Sequence, residues 1–276
     1  MGVCVSSVCR KLGMSRQNYY QGRRRRQERK VDEELVVELV VAERKCQPRL
    51  GTRKTHFLIQ GKLAQAEVKV GRDRFFDILR RHNLLVEPRP AQYPCTTNSH
   101  HYLPVFTNLI RTLVVTRANE VWVVDLTYLR TEEGFLYLAL ITDKRSRKIV
   151  GYYCADNLEV SGVLKALEMA LAGLPGTARP IHHSDRGCQY CCHEYVNKLI
   201  DSGLPISMTE HDHCAENALA ERVNGILKSE YGLGCKLPTK AAMRVLVDQS
   251  VHVYNTRRPH SALDYKTPAQ VHSELS

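Results

Sequence analysis

Three short apolar runs rich in β-branched and aromatic residues begin at residue 121. They are VWVVDLTYL, Gly134–Asp143 and Lys148–Asp156, and only short turns separate them. This pattern predicts three strands joined as an antiparallel meander. Val160–Gly173 follows with apolar positions at helical spacing and a closing glycine, which predicts an amphipathic helix.

The next segments extend this pattern into an α/β fold. Pro180–Ser184 and Leu204–Ser207 are predicted as the fourth and fifth strands, with a helix over Gln189–Ser202 between them. Helical spacing also occurs in ALAERVNGILKSE and in residues 240–256. Three hairpin strands followed by helix, strand, helix and strand predict a mixed five-stranded sheet with flanking helices.

The N-terminal part of the chain is basic and has helical patterns. Residues 3–21 predict two short helices joined by a turn at Gly13–Ser15, with Ser15 as the cap of the second helix. This predicts a helix-turn-helix whose Arg16 reaches DNA, and a plain helical hairpin is the alternative. Residues 22–30 (GRRRRQERK) predict a solvated linker or a helix start, with phosphate contact as a second use.

A second helical group occupies residues 31–86. Apolar positions at helical spacing predict helices in residues 31–45, in CQPRLGTRKTHFLIQG and in VGRDRFFDILRRHNLLV. We interpret the last two as a second helix-turn-helix with a basic helix over residues 72–82, and a structural three-helix bundle is the alternative. The DNA-binding side chains predicted on that helix are Arg72, Arg74, Arg80 and Arg81.

These patterns divide the chain into three parts. Residues 1–90 are predicted to be a basic helical DNA-binding region, residues 91–118 a linker, and residues 119–276 an α/β core. The linker prediction depends on a composition rich in Pro, Thr and Asn. His100 and His101 are expected to be exposed there and not to act as ligands.

The formal charge of the 276-residue chain is +11, but it is unevenly distributed. Residues 1–120 carry 23 Lys and Arg against 11 Asp and Glu, whereas residues 121–276 carry 17 against 18. A basic first part and a near-neutral second part predict an arm that binds nucleic acid. A basic surface that only maintains solubility is the alternative.

Other compositional features narrow the class of protein. An apolar fraction of 43% supports a real core, and the longest apolar runs are too short to span a membrane. The N-terminal MGVCVSSVCRKLG has no apolar signal core, so we expect a cytoplasmic protein. The ten cysteines are scattered and are expected to stay reduced.

Three acidic residues have settings that suggest a metal site. Asp125 interrupts an apolar strand, where a carboxylate is costly unless it is paired, protonated or bound to metal. Asp185 follows a strand and precedes a glycine turn, and 35 residues separate it from Glu221 on a predicted helix. Carboxylates are typical ligands of Mg²⁺ or Mn²⁺, and two such ions promote substitution at a phosphodiester.

The helix of Glu221 has a polar stripe. One face of it carries polar residues at spacings of four, three and four: Asn217, Glu221, Asn224 and Lys228. Asn217, Asn224 and Lys228 are therefore predicted to contact DNA beside the acids. An ordinary polar helix surface is the alternative.

Histidines and cysteines around Asp185 suggest a rival zinc site. The cluster consists of His182, His183, Cys188, Cys191, Cys192 and His193. Cys188-x-x-Cys191 has a spacing typical of zinc ligands, but no second paired-ligand motif follows it. We therefore interpret these residues as packing around Asp185.

Five segments resemble insertion-sequence transposases with a retroviral-integrase-type core. They cover nearly all of residues 119–273 and are NEVWVVDLTYL, YLALITDKRSRKIVGY, HHSDRGCQY, ENALAERVNGILKSE and YNTRRPHSALDYKTPAQVH. The resemblance is greatest to the second-reading-frame proteins of the family numbered three. GRDRFFDILRRHNLLV and TTNSHHY also resemble the region before the core in such proteins. The ordered combination is highly specific, whereas each segment alone is weak.

The resemblance implies a ribonuclease-H-like fold and an Asp-Asp-Glu triad. The triad falls on Asp125, Asp185 and Glu221, and the basic residue seven positions after the glutamate falls on Lys228. In such enzymes water cuts a phosphodiester at the element end, and the freed 3′-OH joins target DNA without a covalent protein–DNA intermediate. The resemblance further implies two Mg²⁺ or Mn²⁺ ions, a homo-oligomer on DNA, in many relatives an upstream-frame product, and a place at the bacterial nucleoid.

Two departures from the family pattern leave other functions open. Glu216-Asn217-Ala218 stands where such proteins have Asp-Asn-Ala, and cysteines at 188, 191 and 192 replace small hydroxyl residues. Glu216 breaks the 35-residue spacing, so Glu221 is the predicted catalytic acid. The alternatives are a catalytically inactive DNA-binding protein derived from such an element, and a nuclease of the same fold that only hydrolyses.

Overall fold

The computed structural model describes residues 4–87, 102–210 and 216–275. They divide into a helical unit and a larger α/β unit, with a boundary after Glu87. His100 and His101 lie outside the described residues. None of the described helices is both long and apolar enough to cross a membrane.

The described part of the helical unit contains four helices: α1 Val5–Lys11, α2 Arg16–Arg44, α3 Thr52–Gln65 and α4 Arg72–Arg81. Its core joins the second half of α2 to α3 and α4 through buried side chains that include Val36, Val40, Ile59, Phe75 and Ile78. The second half of α2, α3 and α4 therefore form a three-helix bundle around one apolar core.

The N-terminal turn lies where it was predicted, but the second helix is much longer. Ser15 caps α2 by accepting a hydrogen bond of 3.1 Å from the backbone N–H of Asn18. The helix then continues through residues 22–30, which were predicted to be a linker or a helix start. That prediction is wrong because Arg, Gln, Glu and Lys are good helix formers, and the single Gly22 costs only about 1 kcal/mol.

The α/β unit is built on a five-stranded sheet of order β3-β2-β1-β4-β5. The strands are β1 Val121–Thr131, β2 Gly134–Asp143, β3 Ile149–Ala155, β4 Ile181–Ser184 and β5 Ile206–Met208. The first three form an antiparallel meander, whereas β4 runs parallel to both β1 and β5. The predicted mixed five-stranded sheet is confirmed.

Helices cover both faces of the sheet. They are α5 Val160–Ala172, α6 Cys188–Cys191, α7 His193–Asp201, α8 Ala218–Glu230, α9 Lys240–Thr256 and α10 Pro268–Leu275, with a 3₁₀ turn at Ser261–Leu263. Trp122 and Val124 pack toward α5 and α7, whereas Leu129 packs toward α8 and α9. Because side chains alternate along a strand, Asp125 shares the α8 face of β1 with Leu129.

The region after β4 differs from the prediction in two places. The helix predicted over Gln189–Ser202 is split at Cys192, whose backbone is extended with ψ of 147°. The thiol of Cys192 donates to the Gln189 carbonyl at 3.1 Å, so this side chain takes the place of a helical N–H. The fifth strand begins at Ile206 and not at Leu204, because Leu204 still closes α7 through its N–H to the Leu199 carbonyl.

The described second half of the predicted linker 91–118 packs on the sheet. Ile110 is buried in a small cluster with Val121 and Val123 of β1. The backbone N–H of Leu109 donates to the Ser207 hydroxyl at 2.9 Å. This described part of the predicted linker therefore contacts the sheet through Ile110 and the backbone of Leu109.

Candidate active site

The strand register brings two of the predicted acids together. In the parallel β1–β4 ladder, Val123 is the partner of His183. Two residues further along both strands, Asp125 and Asp185 come level with each other. Asp185 follows the last residue of β4, so it occupies the carboxyl end of that strand.

Two donors hold the Asp125 carboxylate. The backbone N–H of Leu126 donates to Oδ1 at 2.9 Å, and Asn224 Nδ2 donates to Oδ2 at 2.8 Å. Burial, together with the negative charges of Asp185 and Glu221, raises the pKa of Asp125 to about 7. The three carboxylates therefore act on one region, in which negative charges repel one another.

The turn after β4 fixes Asp185. The Gly187 N–H donates to Asp185 Oδ1 at 3.0 Å, and a Cβ added to Gly187 would lie 3.0 Å from the same oxygen. Arg186 Nε donates to the Thr209 carbonyl at 2.7 Å and so ties the turn to the segment after β5. A glycine at this position lets the backbone approach the carboxylate closely.

Three side chains of the polar stripe join α8 to β1. Asn217 Nδ2 donates to the Val124 carbonyl at 2.9 Å, and Lys228 Nζ donates to Thr127 Oγ1 at 2.5 Å. Asn224, between them, binds Asp125. Glu221, on the same helix, is exposed. The stripe therefore fixes the helix on the strand and leaves the glutamate facing solvent near Asp125.

These contacts correct part of the prediction of DNA-binding residues. Asn217 and Asn224 are buried and bonded to β1, so neither amide is placed to contact DNA. Lys228 is partly buried, with its Nζ 5.0 Å from the centre of the Tyr128 ring. Burial lowers the pKa of Lys228, and the charge of Asp125 opposes this shift. Lys228 is therefore the one charged residue among these three, and it lies at the edge of the site.

The predicted DNA-binding arginines of the helical unit lie on α2 and α4. Arg72, Arg80 and Arg81 are mostly exposed and pair with Asp73, Asp77 and Glu33, whereas the less exposed Arg74 pairs with Asp32. Arg16 is exposed in the first turn of α2. The arginines of α4 therefore lie on a surface where acidic neighbours partly offset their charge.

The chemistry of the acids fits a divalent cation. Carboxylate oxygens are the preferred ligands of Mg²⁺ and Mn²⁺. Burial and then the charge of Asp185 raise the pKa of Asp125, and a cation offsets that negative charge. Within the described ranges, no three His, Cys, Asp or Glu side chains already surround one point. The pair Asp125 and Asp185 is thus preorganised by the strands, whereas Glu221 depends on the rotamer of a solvent-exposed side chain.

Several histidines and cysteines of the suggested zinc site have partners within the α/β unit. His182 and His183 are buried, and they bond Tyr195 OH at 2.8 Å and Ser207 Oγ at 2.9 Å. Burial lowers the pKa of His182 to about 3 and that of His183 to about 4, so both rings are neutral. Cys191 is buried against Met208. These contacts agree with a packing role around Asp185.

Sequence reasoning missed Thr127 as a residue of the site, and it did not predict that Asn224 is the partner of Asp125. Thr127 accepts from Lys228, and Asn224 donates to Asp125. The available signal was the alternation in β1, which places Asp125 and Thr127 on one face, combined with the stripe on α8. Neither pattern shows that this face of β1 packs against α8.

The sheet order and the acids at its centre define an integrase-type core. Residues 115–214 match one family model described as integrase core domain, and residues 202–268 match a second model with the same description. A Shigella sonnei protein described as insertion element IS600 uncharacterized 31 kDa protein is 36% identical over 266 residues, which cover 95% of this chain and 96% of that protein.

Named transposases match over a shorter stretch. Transposase InsF for insertion sequence IS3A of Escherichia coli (strain K12) is 34% identical over 194 residues, covering 70% of this chain and 67% of that protein. The transposase for IS629 of Shigella sonnei is 34% identical over 176 residues, covering 63% and 59%. The chain belongs to the IS3 family of insertion-sequence transposases with an integrase core.

The solved catalytic core domain of HTLV-2 integrase, in complex with magnesium, is 19% identical, with a TM-score of 0.45. The alignment covers 56% of this chain and 96% of that chain. Family membership makes the chain a transposase of the Asp-Asp-Glu class with a ribonuclease-H-like core, as the resemblance implied.

Proposed function

We propose that Asp125, Asp185 and Glu221 are the catalytic acids of this transposase and that together they bind two Mg²⁺ or Mn²⁺ ions. The register that brings Asp125 level with Asp185 carries this proposal, together with the Asn224 bond that ties the helix of Glu221 to Asp125. When bound, the ions would activate the attacking oxygen and stabilise the leaving one in phosphodiester substitution.

The protein's own groups prepare the acids for this task. The Leu126 N–H and the Asn224 amide orient the two oxygens of Asp125, and Gly187 N–H orients Asp185. The ionised form of Asp125 is unfavourable in the buried site. A cation that neutralises this charge should therefore bind favourably beside it. Lys228, which donates to Thr127, would contact a DNA phosphate at the edge of the site.

The substrate of these steps is DNA, at the element ends and at the target. Water cuts a phosphodiester at the element end, and the freed 3′-OH attacks target DNA. Joining two ends requires self-association on DNA, so we infer a homo-oligomer there, with an upstream-frame product as a further partner. The relatives are bacterial, and we expect the protein in the cytoplasm, at the nucleoid.

A strand-transfer assay tests the assignment. Duplexes carrying the terminal sequences of the element are incubated with Mg²⁺ or Mn²⁺, and cleaved and joined products are measured. Asp185→Asn and Glu221→Gln should each lower both products by about 1,000-fold or more, the scale for removing one member of a catalytic unit. Full activity in either variant would contradict the assignment.

Glu216→Gln is the matched control. Glu216 lies just before α8 and accepts from Asn108 Nδ2 at 3.0 Å and from the backbone N–H of Glu210, so its carboxylate ties together two loops. Its variant should keep most of the activity, which separates it from Glu221. Cleavage without joining would indicate a nuclease, and DNA binding without cleavage would indicate an inactive protein.

A further inference from the structure

A cavity of about 140 Å³ opens beside Asp185. Its lining includes Leu126, Tyr128, Tyr137, Leu158, Asp185 and Gln189. Two elements that carry the acids thus also form its walls: β1 through residues 126–128, and the segment after β4 through residues 185–190. The roles assigned to Asp125, Asp185 and Glu221 do not use this space.

Aromatic and apolar side chains dominate the walls. Tyr128 and Tyr137 face each other as partners in the antiparallel β1–β2 ladder, and both remain partly exposed. Leu158 is 47% exposed at the rim. Phe135 contacts the Tyr128 ring edge-on at 5.6 Å and so helps to fix its plane. A fixed aromatic surface with an open apolar rim suits a flat, aromatic ligand.

Polar groups also border the cavity. Gln189 Nε2 donates to the Leu158 carbonyl at 3.3 Å, which holds the amide at the wall. Lys228 Nζ lies 5.0 Å from the centre of the Tyr128 ring and binds Thr127, another lining residue. An ammonium group therefore lies over the Tyr128 ring, and the Asp185 carboxylate also lines the cavity.

We propose that this cavity receives the base of a nucleotide next to the phosphodiester that is cut or joined. The inference rests on the proposed function, because it needs the reacting phosphodiester of DNA to lie at the metal ions held by Asp125 and Asp185. A nucleotide in that position has its base within reach of a cavity that shares Asp185 with the site. Stacking on Tyr128 holds the base and tolerates different sequences, since every base has a flat face. The base leaves the duplex stack to enter.

The base could come from the element-end strand or from the target strand, and the test has an arm for each. Joining is measured on DNA in which one nucleotide at a time near the reacting bond lacks its base. For the wild type, one abasic position should lower joining about tenfold. Tyr128→Ala should lower joining by a similar factor on intact DNA, and the combination should lower it no further, because both changes remove the same contact.

Two more variants keep the result independent of folding. Tyr128→Phe retains the ring and should restore the sensitivity to the abasic position. Leu158→Glu changes an exposed rim residue, leaves the core intact and should mimic Tyr128→Ala by placing a second carboxylate where the base enters. Tyr102→Ala, at an exposed tyrosine outside the cavity, is the matched control and should behave as wild type.

The outcomes separate this inference from the function on which it rests. If the effects of Tyr128→Ala and of base removal multiply at every position in both arms, no base occupies the cavity and the inference is wrong while the function stands. If the wild type does not cut DNA, or if Asp185→Asn still cuts it, the proposed function and this inference are both refuted.

Discussion

Asn224 connects β1, which carries Asp125, to α8, which carries Glu221. Its amide donates to Asp125 at 2.8 Å, and it stands three residues after Glu221 on α8. We predict that Asn224→Ala lowers the rate of DNA cleavage about 10- to 100-fold, the usual cost of removing a group that orients a metal ligand. The concentration of Mg²⁺ or Mn²⁺ needed for half-maximal rate should rise, whereas DNA affinity should change little.

Asn197→Ala is the control for this prediction. Asn197 is exposed on α7, away from β1. Asn224→Asp should be worse than Asn224→Ala, because it adds a negative charge beside Asp125 where an amide donor stood. An Asn224→Ala variant with unchanged cation dependence and weakened DNA binding would instead support the original prediction that this residue contacts DNA.

The raised pKa of Asp125 predicts a pH-dependent stability in metal-free protein. Burial, with Asp185 and Glu221 nearby, raises the pKa from 3.8 to about 7. The folded state therefore binds this proton more tightly than the unfolded state, so the contribution of Asp125 to stability falls as pH rises from about 4 to about 7 and is level above that. Asp125→Asn should raise the melting temperature at about pH 8 and have little effect at about pH 4.

Melting curves without divalent cations, recorded at both pH values, check this prediction. Asp201→Asn, a substitution at an exposed carboxylate that ends α7, is the control and should show no such dependence. An Asp125→Asn variant that is destabilised at high pH would contradict the assigned direction. It would mean that the carboxylate stabilises the fold through its hydrogen bonds more than burial and repulsion oppose it.

At the residue scale, the sequence shows some features of the site and hides others. Asp125 could be predicted because a carboxylate in an apolar strand needs a special reason. The spacing of Asn217, Asn224 and Lys228 predicted a shared helix face. Their partners could not be predicted, because periodicity says which residues share a face and not which strand that face meets. Two amides expected on DNA are therefore bonded to β1.

At the scale of elements, the contact of β3 with α5 depends on a glycine. A Cβ added to Gly151 would collide with the Ala166 carbonyl and lie 2.8 Å from the Ala170 Cβ. We predict that Gly151→Ala lowers the free energy of unfolding by about 1–3 kcal/mol, as overpacked cores do. Gly176→Ala is the control, because no atom lies within 4 Å of its added Cβ. Urea unfolding of both variants measures the difference, and equal stability would contradict the close approach.

A buried ion pair fixes the far end of α8. Arg258, with 1% of its side chain exposed, donates from two nitrogens to both oxygens of Glu230, each at 2.7 Å. Arg258→Ala should cost about 3–5 kcal/mol, because it removes the positive charge and two hydrogen bonds from a largely buried carboxylate. The exposed pair Lys266 and Glu274 is the control, and Lys266→Ala should cost about 0–1 kcal/mol. Denaturant unfolding measures both, and similar costs would contradict the role of burial.

Element boundaries were predicted where local chemistry sets them. The bounds of β2 and α9 agree with the prediction, since a glycine turn opens the first and Thr239 caps the second through the Ala242 N–H. The break at Cys192 was missed because apolar spacing continues through it. It depends on a thiol that bonds a backbone carbonyl, and no periodicity reports that contact.

At the scale of the whole molecule, charge and pattern give complementary information. The predicted division after residue 90 lies close to the boundary after Glu87. The charge of the first 120 residues, 23 basic against 11 acidic, predicts nucleic-acid binding but does not say which helix provides it. The structure offers two candidates: α4, whose arginines have acidic partners, and the N-terminal half of α2, where Arg23–Arg26 are consecutive and exposed.

The salt dependence of DNA binding distinguishes these two helices. Four consecutive arginines on a helix point in directions about 100° apart, so they surround α2 with positive charge. Each phosphate contact contributes about 0.9 to the slope of log affinity against log salt concentration. Replacing Arg23–Arg26 with glutamine should therefore reduce the slope by about two to four. The double substitution Arg72→Gln and Arg80→Gln should reduce it by less than one, because Asp73 and Asp77 already offset those charges.

Fluorescence anisotropy on duplex DNA over a range of KCl concentrations, without divalent cations, measures both slopes. A larger reduction from the α4 pair would place the DNA-binding surface on α4, as the sequence pattern first predicted.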